Sequence, residues 1–564
     1  LLVDREVIMY IMIKKFLTKH SYLLGVIVLS MLPLLSLFIT DKLVHTHDGL
    51  VHLPRMAAYY KALLDGQIPP RFAGDLNYGY GMPLFIFIYQ FPYIVSSLLI
   101  ALGSSLVGAF KVTLSLSYIF SGIFMWLFAR EFFKSDKKAL LVTVFYQFNT
   151  FRFVELLVRG SFGEVYTYTF LPLVLYGLVR LFKKINFTNI VLTSVAVALL
   201  IISHNSVSLL FFGVAVLFLI LFGKNKRNIT WGAASLLLGM GLSAYYWVSA
   251  MAEHKYTYGD LFMQSIYLEH FPPFLQLLVP NLTNIQFLQT GGIVTQLGLM
   301  QLVVLFVAFG VAYSALKKGK KLSRVIVFGF LIVFGALFFM QPVSKPLWER
   351  ISLLRQFQFP WRFLSLMTFA IAMMAPVLLK FSVVKNKAVY TSIILLTIVT
   401  SVYYWLPSLG LDTIKEEGYW NFPKTTTYWG ETDVIWSEGP ASSYPASPVE
   451  IVAGDASVSN YVKKSNVHTY VVEVSQESML VDHTQYFPGW RVLVDGKKRD
   501  IEFQDFSWKG QITYSVPEGK HKVEVRFGES KVRYIADMIT VLSFVVIIIV
   551  GIFRKKVFKW FAKK

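Results

Sequence analysis

The sequence predicts a polytopic α-helical membrane protein with about twelve transmembrane helices and an extracytoplasmic β-sandwich domain before the last helix. Three observations predict it. Hydrophobic residues make up 55% of the chain and charged residues only 15%, against roughly 25% charged in soluble domains. Apolar runs long enough to cross a bilayer recur along most of the length, with Lys and Arg gathered in short clusters between them. After Pro407 the apolar runs shorten, and turn formers separate short alternating strands as far as Lys531.

The first span, 21–40, follows the basic Lys14, Lys15 and Lys19. It is too long, and lacks the small-residue pattern, for a removable signal peptide. Flanking positive charge is retained in the cytoplasm, so the chain emerges outside after this span. Further basic clusters fall at Lys134, Lys137 and Lys138, at Arg180, Lys183 and Lys184, and at Lys224, Lys226 and Arg227. Others fall at Lys317, Lys318, Lys320 and Lys321, at Lys380, Lys385 and Lys387, and at Arg554, Lys555 and Lys556. With all of them inside, two crossings join each neighbouring pair. The spans are then 108–129, 139–158, 164–182, 187–206, 207–223, 229–250, 293–316, 323–341, 361–381, 388–406 and 533–553, with both termini cytoplasmic. Counting the apolar segment 83–102 as a crossing would invert every later basic loop. It therefore reads as a juxtamembrane or re-entrant helix in a large first outer loop, 41–108.

The domains are then 1–406, the multi-span part; 407–531, the outer β-sandwich; and 532–564, the last helix with its basic tail. Strands are expected at 469–474, 490–494 and 522–526, with Asp495-Gly496 as a hairpin turn.

A formal charge of +21 invites a nucleic-acid reading, but its distribution between spans argues against one. With no cysteine there is neither a disulfide framework nor a thiolate metal site. The chain has no phosphate-binding Gly-x-x-x-x-Gly-Lys-Ser/Thr loop and no strand-anchored Gly-x-Gly-x-x-Gly fingerprint.

Chemistry-bearing residues gather at the outer ends of the spans. Asp48 lies just past the first span, among His45, His47 and His52. Its bland reading is an N-cap for a helix starting near Leu50. Arg152, Glu155, Arg159 and Glu164 follow where the third span exits; Ser203, His204 and Asn205 end the fifth; Arg355, Gln358 and Arg362 precede the tenth. Their bland reading pairs Arg152 with Glu155 and lets Arg355 and Arg362 snorkel to headgroups. Ionisable groups at membrane depth usually face a cavity or partner, and the set together points to an outer functional cavity. His47 and Asp48 are the candidate ligands of a divalent metal, a question the residue types leave open. His52, four residues past Asp48, would share its helix face and tune the carboxylate.

Three runs carry a resemblance: His47-Asp48-Gly49-Leu50-Val51-His52-Leu53-Pro54-Arg55, Gly66-Gln67-Ile68-Pro69-Pro70-Arg71, and Gly79-Tyr80-Gly81-Met82-Pro83-Leu84-Phe85. Arg159-Gly160 with Glu164, Ser203-His204-Asn205, Gln358-Phe359-Pro360-Trp361-Arg362 and Tyr486-Phe487-Pro488-Gly489-Trp490 extend it over nearly the whole chain. In these the sequence resembles bacterial membrane proteins of the C-type glycosyltransferase superfamily (GT-C). More narrowly, it is similar to the 6-pyruvoyl-tetrahydropterin-synthase-related membrane proteins, relatives of the YfhO-like family. The pterin label implies no pterin chemistry.

The resemblance implies a glycosyltransferase that takes a sugar from a polyprenyl-phosphate donor and passes it to an envelope glycan, lipid or polymer on the outer face. It also implies a catalytic acidic residue in the first outer loop and a second one in the next, the places of Asp48 and Glu164. His47, His52, Arg55, Arg71, Arg159, His204, Asn205, Arg355, Gln358 and Arg362 are the expected substrate-binding residues. The residue types suit the reaction, since a carboxylate can take a hydroxyl proton and guanidinium groups can meet a departing phosphate. No cofactor is implied beyond the open metal. The rivals are a lipid-linked saccharide flippase, whose cavity charges would sit nearer mid-span, and a non-catalytic envelope-assembly protein.

Overall fold

The computed structural model of the chain describes residues 9, 20–279, 295–407, 409–427 and 430–554. The basic Lys14, Lys15 and Lys19 and the tail from Lys555 lie outside the described residues.

Helices occupy every segment expected to cross. Seven are long and apolar enough to span a membrane: His20–Phe38, Leu106–Phe133, Glu164–Lys183, Leu299–Lys317, Pro360–Lys380, Lys387–Trp405 and Lys531–Ile552. Three more of the expected spans are bent pairs rather than single helices. Asp136–Gln147 meets Thr150–Arg159 at 53°, Lys226–Leu242 meets Ala244–Tyr256 at 68°, and Arg324–Phe339 meets Pro342–Arg350 at 80°. Local chemistry breaks two of them: Asn149 caps the second half of the first pair, and Pro342 has no N–H to continue the third. Phe187–Ile201 and Ser206–Phe222 are shorter apolar helices.

The loops that hold the basic clusters also hold the helix starts. Ser135, Asn186, Asn225, Ser323 and Asn386 each accept a backbone N–H at the following helix. Such caps are worth about 1 kcal/mol apiece. The segment 83–102 is two helices, Leu84–Phe87 and Phe91–Ala101. The longer, at about 16 Å, falls far short of a hydrocarbon core of roughly 30 Å. Gln90 and Phe91 donate their N–H groups to the Ile202 carbonyl, which pins this pair to the turn that carries His204.

A small antiparallel ribbon, β1 (Leu43–Val44) with β2 (Leu411–Asp412), ties the loop 41–108 to the chain leaving Lys387–Trp405. Beyond it come β3 (Val449–Lys464), β4 (Val467–Gln485), β5 (Trp490–Val494), β6 (Lys497–Arg499), β7 (Gln511–Val516) and β8 (Gly519–Phe527). These six strands are hydrogen-bonded into one antiparallel sheet. It doubles over so that its halves face each other as sandwich layers do: His468, on the half of β4 paired with β8, lies 3.1 Å from Asp482 on the half paired with β7. The two layers stay joined through β4, whose 19 residues pair first with β8 and then with β7 along the same edge. Asp495 and Gly496 both have positive φ between β5 and β6, as a two-residue hairpin turn requires. The sheet's core of Val472, Leu480, Trp490, Val492 and Val525 is completed by Phe72, Ile86 and Phe87. The loop 41–108 is thus part of this core.

Candidate functional site

Four segments meet beneath the sheet. The first is the turn before the helix Gly49–Leu64, ending at Asp48. Asp48 stands at the N-cap position but makes no side-chain cap; the Gly49 N–H goes to Thr46 Oγ1 instead, at 3.0 Å. The carboxylate is therefore not spent on the helix. The second segment is a π-helical turn, Val154–Arg159, closed by Gly160 at φ 61°. Such turns recur at functional sites. It is laced to the first by backbone hydrogen bonds from His47 N to the Val158 carbonyl (3.0 Å) and from Asp48 N to the Arg159 carbonyl (2.9 Å). The other segments are the turn 202–205 and the stretch 357–362.

At the centre is Glu164, 2% exposed at the start of Glu164–Lys183. Its Oε1 accepts from Arg159 Nη1 at 2.8 Å and from Arg362 Nη2 and Nε at 2.9 and 3.1 Å, with His204 Nε2 3.7 Å away. Arg159 also donates to Glu155 Oε2 at 2.6 Å and lies 3.9 Å from Asp48 Oδ2. One guanidinium thus reaches three carboxylates. Arg362 Nη1 is fixed by Gln358 Oε1 (2.7 Å) and the Phe357 carbonyl (2.8 Å), and the Arg159 guanidinium lies over the Trp361 ring at 4.7 Å. Burial makes each of these charge-assisted contacts strong, and makes the loss of any one partner costly.

A cavity of about 2160 Å³ opens on this cluster. Of the twelve sequence-predicted site residues, eleven line it: His47, Asp48, His52, Arg55, Arg159, Glu164, His204, Asn205, Arg355, Gln358 and Arg362. Arg71 does not. Its guanidinium is buried against Asp537 Oδ1 (2.9 Å), Glu529 Oε1 (3.4 Å) and the Tyr245 carbonyl (2.9 Å), because the loop 41–108 there packs on the last helix. Arg55 lines the cavity, yet its guanidinium donates to the side chain and carbonyl of Thr426. His52 Nδ1 hydrogen-bonds Tyr93 at 2.8 Å, so a tyrosine holds the ring expected to tune Asp48. Burial, reinforced by Arg55 and Arg159, keeps His52 well below the usual imidazole range. His47 is lowered by burial too, with Asp48 opposing and Arg159 assisting.

The pairing of Arg152 with Glu155 does not occur. Arg152 turns to Ser121 Oγ (2.8 Å) and to the rings of Tyr118, Tyr146 and Tyr168. Glu155 pairs with Arg159 instead. Only the bland reading gives it Arg152, and it is not among the expected site residues. Its spacing of four from Arg159 was the available signal.

As for a metal, His47 and Asp48 are neighbours in the cavity wall. Among the described residues no group of three or more His, Asp or Glu side chains is arranged to hold an ion.

Part of the lining differs in kind. Ile201, Leu209 and Phe212 line it from two apolar helices, and Met240, Trp247 and Met251 from the two helices that meet at the 68° bend. The cavity therefore combines the charged cluster at Glu164 with an apolar lining between helices.

No protein-family model matches the chain. A Lactococcus lactis subsp. cremoris (strain MG1363) protein, described only as uncharacterized, is 24% identical over 211 residues, or 36% of this chain and 34% of that protein. Among solved structures, arabinofuranosyltransferase AftD from Mycobacteria is similar with a TM-score of 0.42 and 16% identity, over 68% of this chain and 27% of AftD. The oligosaccharyltransferase of Archaeoglobus fulgidus in its apo form gives a TM-score of 0.45 and 13% identity, over 69% of this chain and 56% of that one. The chain spans about a third of the length of the curated relative it matches, and less than two thirds of either structure.

Proposed function

We propose that the chain is a membrane glycosyltransferase that transfers a sugar from a polyprenyl-phosphate donor to an envelope glycan, lipid or polymer on the outer face. The observation that carries this reading is the mixed lining of the cavity. A carboxylate outside any helix cap, Asp48, lines the same space as the Arg159–Glu164–Arg362 cluster, together with the apolar side chains of those helices. The motif resemblance at Asp48, Arg159, Glu164, His204 and Arg362 points the same way.

In this mechanism Asp48 takes the proton of the acceptor hydroxyl as its oxygen bonds to the sugar's anomeric carbon. The bond from that carbon to the phosphate oxygen breaks, and polyprenyl phosphate departs with the electron pair. Arg355, at the cavity wall, and the Arg159–Arg362 pair stabilise the charge that grows there. Glu164 is buried and engaged by two guanidinium groups, which suits an organising anion better than a nucleophile. A single displacement with inversion follows. The apolar lining takes the start of the polyprenyl chain. The reading includes twelve spans, cytoplasmic termini, and the domains 1–406, 407–531 and 532–564, with the sheet outside.

Two experiments test it. Asp48→Asn is nearly isosteric but cannot accept a proton at neutral pH, so transfer from a polyprenyl-phosphate sugar in membranes should fall by about 10²- to 10⁴-fold. Near-normal transfer by that variant would remove Asp48 from the mechanism and restore the flippase and scaffold readings. For the orientation, a Lys137→Cys variant, in a chain with no native cysteine, should resist impermeant thiol reagents in intact cells. Labelling from outside would overturn the topology.

A further inference from the structure

A second cleft lies away from the cavity, where the loop 41–108 meets the sheet. It has a volume of about 370 Å³, at the lower end of small-ligand pockets, which run from roughly 300 to 1,000 Å³. Its walls are aromatic. Tyr78 and Tyr444 meet edge to face with ring centroids 5.3 Å apart, and Tyr461 rises from β3. Tyr444 is 58% exposed, a large ring left open to solvent. Polar groups stand between the rings: Lys463, Asn421, His483 and the ion pair of Lys61 with Asp75 at 2.8 Å.

The backbone is unusual on both sides of the cleft. Asn77 and Tyr78 adopt successive left-handed conformations, φ 58° and 53°, which non-glycine residues rarely do. They are held by hydrogen bonds to the carbonyls of Lys424 and Pro423 and by the Ala441 N–H donating to Asn77 Oδ1. Across the cleft, β3 shifts register between Ser459 and Val462, with Asn460 at φ 54° just before Tyr461. Such bulges re-aim side chains. Each feature orients one tyrosine.

The composition selects the ligand. No aliphatic or Phe side chain lines the cleft among the described residues; its apolar surface is tyrosine faces and two prolines, Pro445 and Pro448. A lipid tail or an apolar helix would find too little to bury against. The charges, Lys61 and Lys463 against Asp75, leave a single net positive charge, too little to select a polyanion. Flat rings for the C–H faces of a sugar, set among amide and ammonium donors, suit a neutral oligosaccharide. We propose that the cleft of Tyr78, Tyr444 and Tyr461 is a non-catalytic binding site for a neutral glycan. The helix Gly49–Leu64 joins it to the cavity, with Lys61 thirteen residues beyond Asp48 and so about 20 Å along the axis. A glycan held here is outside the reacting centre, so the proposal stands apart from the chemistry assigned to Asp48.

The test is binding by the full chain in detergent micelles of glucose, galactose, rhamnose and N-acetylglucosamine hexasaccharides, with polygalacturonate as the anionic comparator. Saturation-transfer NMR and calorimetry read it. At least one neutral hexasaccharide should bind at millimolar concentration or better. Tyr444→Ala should weaken it by about tenfold, Tyr444→Phe should restore it because the ring face remains, and Asp48→Asn should bind as well as the parent. Failure of every neutral hexasaccharide, binding of polygalacturonate alone, or affinity unchanged in Tyr444→Ala would each overturn the site. Loss of binding in Asp48→Asn would also overturn it, by assigning the signal to the cavity.

Discussion

Arg159 decides the electrostatics of the cavity, because it reaches Glu155, Glu164 and, at longer range, Asp48. Lysine keeps the charge but has one ammonium for all three carboxylates and cannot lie as a plane over Trp361. Arg159→Lys should therefore remain folded while transfer falls by about 10²-fold or more, the usual cost of losing one preorganised electrostatic contact. Matched protein levels with unchanged transfer would deny it that role. A second residue-scale consequence concerns Asp433, 1% exposed, whose carboxylate oxygens find no hydrogen-bond partner among the described residues. Burial, aided by Glu431, raises it from 3.8 to about 7. The folded chain then holds a proton that the unfolded chain releases, so its contribution favours folding at low pH and is lost as pH rises from about 4 to 7. Asp433→Asn should raise the melting temperature above pH 7 and change it little near pH 4. A variant no more stable at pH 8 than the parent would contradict this.

At the scale of elements, the π-helical turn and the Asp48 loop form one unit. Gly160 ends the turn in a left-handed conformation, and a Cβ there would come within 2.4 Å of Thr46 Oγ1, the atom that caps Gly49–Leu64. Gly160→Ala thus meets both a backbone cost of about 1–2 kcal/mol and a clash that pushes on the loop holding Asp48. It should lower the melting temperature and reduce transfer together, whereas Gly66→Ala, also at positive φ but with open space around it, should cost stability alone. Equal transfer by both variants would separate Asp48 from the turn.

At the scale of the molecule, one buried network joins the sheet to the helices. Arg533, fully buried on the last helix, donates to Glu253 Oε2 and Glu529 Oε2, each at 2.7 Å, and to the carbonyls of Pro488 and Gly528. Arg71 reaches Glu529 and Asp537 beside it. The arrangement fastens the loop 41–108, the bent helix ending at Glu253 and the sheet to a single point. Arg533→Met strands Glu253, 1% exposed, and should cost about 3–5 kcal/mol, the usual penalty for an unpaired buried charge. Adding Glu253→Gln should recover part of the loss. If thermal unfolding shows no such recovery, the pair does not carry the junction.

Features set by neighbours in the chain were legible in the sequence. Apolar length and basic loops gave the helical segments, because each depends only on residues within one span. Asp495-Gly496 gave its hairpin, and the brevity of 83–102 followed from charge bookkeeping along the chain. The residues that line the cavity were also recognisable, since charged groups at helix ends stand out against apolar spans. Which of them touch was decided by tertiary structure alone. A helix would let Glu155 meet either Arg152 or Arg159; the packed structure gives it Arg159 and leaves Arg152 among three tyrosines. Arg71 sits in a motif like those of the cavity residues, yet packing of the loop on the last helix takes it elsewhere. The two layers stay joined because β4 is long enough to serve both β7 and β8, a matter of register between strands far apart in sequence. Alternation could foretell the strands, but only their pairing could decide that one ladder runs through both layers.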